Sequence, residues 1–178
     1  MSQHRFRLLV LGDPHIRQSD MDLWDEVIED FNQLDPAPQA ILILGDISGH
    51  NHDAPTGSPQ ANAIAVNVLD RFNRPWRSII GNHDLEWKCH ASDDLAVANF
   101  LEVNRRDTPW FRWDLPGVTI LGLSNTMHHG NPGCVHEIVL HDQQLNWLRD
   151  QLESLGDTPA ILAVHAPPVG SGLLTLAE

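Results

Sequence analysis

Basic residues are scarce in this chain. Its 178 residues include 24 aspartates and glutamates but only 11 lysines and arginines, which gives a formal net charge of −13 at pH 7. A surface of this sign repels nucleic acid and anionic lipid, so we expect neither as a partner. A phosphate-bearing substrate would need a local source of positive charge.

Cysteine and long apolar runs are scarce as well. Cys89 and Cys134 form no C-x-x-C motif, so they indicate free thiols rather than a disulfide framework. The N-terminal segment MSQHRFRLLVLGDPH contains a short apolar run and no small-residue cleavage pattern. A signal peptide and a membrane span are therefore not expected, and the default location is cytoplasmic.

The pattern of the whole chain favours one domain. We find no internal repeat, low-complexity tract or evident linker, and 42% of the residues are hydrophobic. A chain of this length and composition can bury one sizeable core. We therefore predict a single domain over residues 1–178.

Short apolar runs alternate with segments of helical periodicity. Strands are predicted over residues 6–12, 40–46, 76–84 and 160–164, and helices over 21–34, 60–72, 93–102 and 141–156. Uninterrupted apolar strands separated by helices indicate a parallel sheet covered on both faces. Residues 110–125 instead suggest two antiparallel strands joined at Leu115-Pro116-Gly117. The expected fold class is α/β with mixed strand directions.

Polar side chains follow four of the predicted strands. They are Asp13 and His15 after the first strand, Asp46 after the second, Asn82, His83 and Asp84 after the third, and His165 after the strand at 160–164. Because ligands bind beyond the carboxyl ends of strands in open α/β sheets, we expect these side chains to converge. Alone, each is more often a turn residue, a helix cap or a loop histidine. Their repetition predicts a metal site, and Asp13 and His15 can lie on one side of an extended segment to bind one ion.

The motifs GDPH, GDIS, GNHD and VHAPP, in this order, resemble those of the calcineurin-like metallophosphoesterase superfamily. The resemblance extends to about residue 168. It implies a β-sandwich flanked by helices, in four α/β/β/α layers, with a two-metal site at the strand ends. The implied cofactors are two divalent or trivalent ions of manganese, iron or zinc.

The resemblance also implies which residues hold these ions. Asp13 and His15 would bind the first metal. Asn82 and His165 would bind the second. Asp46 would bridge the two, because one carboxylate between two cations can use both of its oxygens.

The implied reaction is hydrolysis of a phosphodiester or a small phosphomonoester. A hydroxide that bridges the two metals would attack the phosphorus opposite the leaving oxygen. His83 would protonate that oxygen as the general acid, with Asp84 fixing the tautomer of its imidazole. A helix or turn cap is the alternative role for Asp84.

One motif of the superfamily, G-H-x-H, has no counterpart after His165. In the family it supplies one histidine to each metal. We expect the domain to be incomplete at its C-terminal end and to lack its final strands; a degenerate site, or replacement by another histidine, is the alternative. Other histidines lie in predicted loops, where solvation is the more common state: His50, His52, His90, His128, His129 and His136. Of these, His128 and His129 are the best candidates for substrate contacts, because their strand also ends near the crevice.

Two functions of different classes follow from these motifs. The first is metal-dependent hydrolysis of a phosphate ester, which His83 favours because a scaffold has no use for a leaving-group acid. The second is a metal-binding or scaffold protein with an incomplete, inactive site, which the missing G-H-x-H favours. A structural zinc site is disfavoured because the ligands are rich in oxygen and neither cysteine lies near them in sequence.

Overall fold

The computed structural model describes residues 6–87, 93–127 and 137–167. The helices are α1 (Met21–Gln33), α2 (Pro59–Arg71), α3 (Asp93–Val103) and α4 (Asp142–Ser154). The strands are β1 (Leu8–Leu11), β2 (Ala40–Ile43), β3 (Trp76–Ser78), β4 (Phe111–Leu115), β5 (Val118–Gly122), β6 (Thr126–Met127), β7 (Glu137–Ile138) and β8 (Ala160–Ala163). All predicted helices and strands have counterparts here, whereas β6 and β7 are too short to give a periodic pattern. The positions outside the described residues include Cys89, Cys134, His90, His128, His129 and His136.

The first sheet has the order β1-β2-β3, with all three strands parallel. Its register pairs Leu11 with Ile43 and Ile43 with Ser78, so the carboxyl ends of the strands lie at one edge. All four residues of the central strand β2 are buried, as its uninterrupted apolar sequence predicts for a strand covered on both faces. The predicted β-α-β-α-β unit is confirmed.

The second sheet has the order β4-β5-β8. β4 and β5 form the predicted antiparallel hairpin, and β8 runs parallel to β5. Gly117 in the turn has φ +86, a left-handed conformation that glycine adopts without steric cost. This sheet places His165 just beyond the end of β8.

The two sheets pack face to face, and helices cover both outer sides. The core between the sheets is formed from both sides. Leu42 of β2 and Ile79, just after β3, pack against Phe111 of β4, Ile120 of β5 and Ala163 of β8. A larger cluster packs the first sheet against α1, α2 and α3; its large, fully buried members include Ile16, Ile41, Ile43, Ile47, Leu69, Phe72, Ile80 and Phe100. On the far side, Gln144 of α4 makes hydrogen bonds of 2.7 and 2.8 Å with the backbone of Ser124. The predicted sandwich flanked by helices is confirmed.

Local sequence signals set the helix ends. At the start of α2, the side-chain oxygen of Ser58 accepts a hydrogen bond from the backbone N–H of Ala61 at 3.2 Å, and Pro59 occupies the first turn. α1 turns Ile28 and Phe31 toward the core. Among the described residues, none of the helices combines the length and apolar character that a bilayer crossing requires.

Candidate metal centre

Three of the predicted ligands have an unusual backbone. Asp13, His15 and Asp46 lie in the left-handed region, with φ of 46, 41 and 53. Residues with a side chain rarely adopt this conformation, which costs on the order of 1 kcal/mol or more and concentrates at functional sites. Backbone strain is therefore found at the same residues that the sequence motifs single out.

The potential ligand atoms fall into two groups that share Asp46. The first group is Asp13, Asp46 and His165, and the second is His15, Asp46 and His83; within each, the ligand atoms lie within 4.8 Å of one another. Oδ2 of Asp46 is 3.5 Å from Nε2 of His165 and 3.6 Å from Nε2 of His15. The Asp46 side chain is buried between the two imidazoles. This is the position that a bridging carboxylate would need.

The structure separates Asp13 from His15. Oδ1 of Asp13 lies 3.7 Å from Nδ1 of His165, whereas the ring of His15 packs edge-on against that of His83 with centroids 4.9 Å apart. The segment that carries them is not extended, because both residues have positive φ. Each belongs to a different candidate ligand group, and their assignment to one metal stays a prediction.

His165 meets the residue assigned to the same metal, Asn82. Its Nε2 lies 2.9 Å from Oδ1 of Asn82, and its Nδ1 lies 2.7 Å from the backbone oxygen of Leu44. Each ring nitrogen of His165 therefore faces one oxygen, and His165 and Asn82, which the resemblance assigns to one metal, lie in contact. The strand-end carbonyl of Leu44 thus orients a residue that is distant in sequence.

Asp84 is fully buried and holds two loops together. Its Oδ2 accepts hydrogen bonds from the backbone N–H groups of Gly81 (2.8 Å) and Asp46 (2.9 Å), and its Oδ1 accepts one from Ile47 (3.0 Å). The pKa of Asp84 is raised to about 7, mainly by burial and also by the charge of Asp46, while the hydrogen bonds from the three amides lower it. Asp84 therefore positions the backbone of Asp46.

Glu86, a residue that the sequence analysis missed, contacts the imidazole of His83. Oε1 of Glu86 lies 2.6 Å from Nδ1 of His83, whereas the carboxylate of Asp84 accepts hydrogen bonds from backbone amides. Burial lowers the pKa of His83, but the hydrogen bond to Glu86 and the charges of Asp46 and Glu86 outweigh it, and the net pKa is raised. The short 3-10 helix His83–Leu85 brings residues three apart onto one side, and that spacing was the available signal.

Two glycines allow the loops to meet at this edge. A Cβ on Gly81 would lie 2.6 Å from the backbone nitrogen of Asp46, and it would overlap Oδ1 of Asp46. Gly45 has φ +92, and a Cβ there would lie 2.8 Å from Nδ1 of His165. A side chain at either position would displace a potential ligand.

Comparison with known proteins agrees with this geometry. The crystal structure of TT1561 of Thermus thermophilus superposes with a TM-score of 0.56 and 19% identity, over 95% of this chain and 72% of that one, which shows a common fold. The family model for calcineurin-like phosphoesterases matches residues 6–177. The chain belongs to this family.

Curated relatives of this family member are named as phosphodiesterases. The probable glycerophosphodiester phosphodiesterase GpdQ of Arcobacter nitrofigilis is 25% identical over 147 residues, which are 80% of this chain and 47% of the relative. The glycerophosphodiester phosphodiesterase GpdQ of Enterobacter lignolyticus is 26% identical over 180 residues, covering 91% and 57%. A probable cyclic nucleotide phosphodiesterase of Rhodococcus erythropolis is 26% identical over 136 residues, covering 74% and 40%. The chain spans about half the length of the curated relatives it matches.

The family implies divalent metal ions, and the donors in this member fit them. Each ligand group combines carboxylate oxygen with imidazole nitrogen, the donors that manganese, iron and zinc accept in proteins. The left-handed backbone at three donors and the two close glycines hold these groups in place. Among the described residues, neither His50 nor His52 belongs to a ligand group.

A cavity of about 450 Å³ opens beside the second ligand group of this phosphoesterase-family chain. His15, His83 and Glu86 form one side, and Arg17 and Thr56 contribute to the rest. Its volume lies in the range of small-molecule sites. The exposed guanidinium of Arg17, which the sequence analysis missed, brings positive charge to an otherwise acidic chain.

The two described spare histidines differ in position. His50 is exposed and lines the same cavity. His52 is solvent-exposed and pairs with Asp53 at 2.7 Å. The expectation of a solvated loop histidine is met at both positions.

Proposed function

We propose that this protein hydrolyses a phosphodiester with the help of two metal ions, one in each ligand group and both in contact with Asp46. The observation that supports this most strongly is the position of Asp46 Oδ2, within 3.6 Å of one histidine from each group. The names of the curated relatives support a diester over a monoester as the substrate. A small phosphomonoester is the alternative substrate.

In this proposal Asp13, His15, Asp46 and His165 hold the ions together with Asn82, which contacts His165. When bound, the ions would neutralise phosphate charge and lower the pKa of a water from about 15.7 toward neutrality. The protein itself supplies the order of the site. Asp84 fixes the backbone of Asp46, and Leu44 fixes the ring of His165.

His83 is the proposed proton donor to the leaving oxygen. Its raised pKa keeps the imidazole protonated to higher pH than an ordinary histidine. Glu86 contacts Nδ1, so Nε2 is the nitrogen that would deliver the proton. Because His83 also belongs to a ligand group, the metal content of a His83→Ala variant separates the role of acid from that of ligand.

Arg17 is the proposed contact for the phosphate oxygens that do not react. Its guanidinium lines the cavity beside His15 and His83. Arginine matches phosphate with paired N–H donors and stays charged at any pH of interest. It would attract the anionic substrate against the overall negative charge of the chain.

Hydrolysis of bis(p-nitrophenyl) phosphate by the purified chain, with and without added Mn²⁺, tests the proposal. We expect p-nitrophenolate release that requires the metal and collapses in Asp46→Asn. Asp53→Asn, which alters an exposed carboxylate outside both ligand groups, is the matched control and should keep the wild-type rate. Two bound metals without any release would favour the metal-binding protein over the hydrolase, and release unaffected by chelation would contradict the proposal.

A further inference from the structure

A second cavity of about 350 Å³ gathers positive charge in this acidic chain. Its wall includes Arg77, Arg105, Arg106 and Arg112 together with Trp110 and Trp147. Four of the 11 basic residues of the chain therefore meet in one place, although the net charge is −13. None of these residues belongs to either ligand group of the metal centre.

Arg106 is the most unusual member of this cavity. All three guanidinium nitrogens are buried, and they find no hydrogen-bond partner among the described residues. The guanidinium lies over the rings of Phe100 and Phe111, at 5.5 and 5.0 Å from their centroids. Aromatic faces attract a cation but leave its N–H donors without an acceptor, which is costly for a buried charge.

Burial and the nearby charge of Arg77 lower the pKa of Arg106 to about 10, and the charge of Asp84 partly opposes them. Arg106 therefore remains a cation at neutral pH. Two guanidinium groups repel each other here, and an anion placed between or beside them would be stabilised by both.

The other arginines differ in how far they are already neutralised. Arg112 forms an ion pair with Asp114 at 2.9 Å, and Arg105 makes a long contact of 3.4 Å with Asp70. Arg77 donates a weak 3.5 Å hydrogen bond to the backbone of Trp76, lies over the ring of Trp113 at 5.8 Å from its centroid, and forms no salt bridge with a described residue. Asp107 is the one carboxylate among the described residues of the wall, and it forms no salt bridge with Arg77 or Arg106. Arg77 and Arg106 therefore retain their charge for a ligand.

Aromatic side chains complete the wall. The partly buried rings of Trp110 and Trp147 both line the cavity and lie 6.4 Å apart at an angle of 50°. We propose that this cavity binds a nucleotide, with the phosphate on the exposed Arg77 and beside the buried charge of Arg106, and the base against Trp110 and Trp147. Its volume lies in the range of pockets for ligands of this size. None of the cavity residues belongs to a ligand group of the metal centre, so nucleotide binding can be tested apart from the proposed hydrolysis.

Calorimetric titration of the chain with AMP in the presence of EDTA tests this inference, because the chelator removes metals that would hold phosphate. We expect one AMP per chain, with clearly weaker binding of adenosine and of ribose 5-phosphate, since each lacks one half of the ligand. Asp46→Asn should bind AMP as the wild type does. Binding that disappears in Asp46→Asn would assign AMP to the metal centre and overturn the inference.

Arginine variants locate the site within the chain. Arg106→Met and Arg77→Met should each weaken AMP binding by about tenfold or more, because Arg77 supplies charged hydrogen-bond donors to the phosphate and Arg106 supplies positive charge beside it. Arg149→Met, an exposed arginine of α4 outside the cavity, is the matched control and should change nothing. If Arg106→Met does not fold, Arg77→Met decides, since Arg77 is exposed.

A tryptophan variant tests the base. Trp147→Leu should weaken AMP binding while leaving that of ribose 5-phosphate unchanged. Equal affinity for AMP and ribose 5-phosphate in the wild type would overturn the role of the aromatic wall. Absence of AMP binding at millimolar concentration, or equal binding by Arg77→Met and Arg149→Met, would overturn the site as a whole.

Discussion

Replacing Gly81 by alanine should damage the metal centre through a single methyl group. Gly81 and Asp46 both donate their backbone N–H to Oδ2 of Asp84, so the two residues are held close together. A Cβ on Gly81 would lie 2.6 Å from the backbone nitrogen of Asp46 and 2.8 Å from its Cγ. The neighbours are buried backbone and a buried carboxylate, so they cannot swing aside as an exposed side chain can.

The size of the effect follows from these distances. Ordinary contact begins at about 3.4 Å, so the backbone nitrogen of Asp46 must move by roughly 0.8 Å relative to residue 81, and its overlapping carboxylate oxygen must move further. Overpacking of a buried site by one carbon costs about 1–3 kcal/mol. For a chain of this length that corresponds to a fall in Tm of roughly 2–12 °C. Displacement of a residue that orients metal ligands should also weaken Mn²⁺ binding by about 10- to 100-fold.

Gly12→Ala provides a matched control. Gly12 also follows a strand and precedes a potential ligand, but a Cβ there would have nothing within 4 Å. Neither Gly12 nor Gly81 has a positive φ, so backbone strain does not distinguish the two variants. Thermal unfolding and Mn²⁺ titration of both proteins should show a near-normal Gly12→Ala and an impaired Gly81→Ala. Indistinguishable Tm values and Mn²⁺ affinities for the two variants would refute the close approach of the two loops.

Three further variants test individual roles. His83→Ala should slow hydrolysis of diesters with poor leaving groups by about 10²- to 10⁴-fold, while diesters with good leaving groups should be hydrolysed at a near-normal rate. The variant should retain its metal; loss of metal would show that His83 is a metal ligand and not the acid. Glu86→Gln removes groups that raise the pKa of His83, so the alkaline limb of kcat/KM, where the protonated acid is lost, should move to lower pH; an unmoved limb argues against the pair. Asn62→Ala leaves the buried hydroxyl of Ser48 without its 2.8 Å acceptor and should lower the free energy of unfolding in urea by about 1–3 kcal/mol, whereas a loss near zero would mean that the network is dispensable.

The architecture could be predicted from the sequence because its signals are local. Apolar runs without interruption specify buried parallel strands, and the register of β1, β2 and β3 then brings their carboxyl ends to one edge. Asp13, Asp46 and Asn82 follow those strands, so their approach to one another follows from the topology alone. His165 joins them because β8 lies parallel to β5 at the edge of the second sheet.

The finer arrangement of the site could not be predicted, because it depends on loop geometry. The division of Asp13 and His15 between two ligand groups follows from positive φ values that the D-x-H spacing does not reveal. The partners of Asp84 are three backbone amides from two loops, and a backbone amide leaves no mark in a sequence pattern.

The arginine and tryptophan cavity is likewise a product of tertiary structure. Arg77 comes from β3, Arg112 from β4 and Trp147 from α4, and no spacing along the chain connects them. The low number of basic residues predicts no positively charged site, because net charge does not show where the few cations lie in the folded chain.

Calorimetric titration of the metal-free chain with Mn²⁺ tests most directly whether Asp46 is shared by two metal sites. We expect two ions per chain in the wild type and in Asp53→Asn, since two ligand groups share Asp46 and Asp53 belongs to neither. Asp46→Asn should lose both ions together, because it removes the charge that both groups share. Two ions bound to Asp46→Asn with wild-type affinity, or a wild-type chain that binds none, would contradict the shared centre.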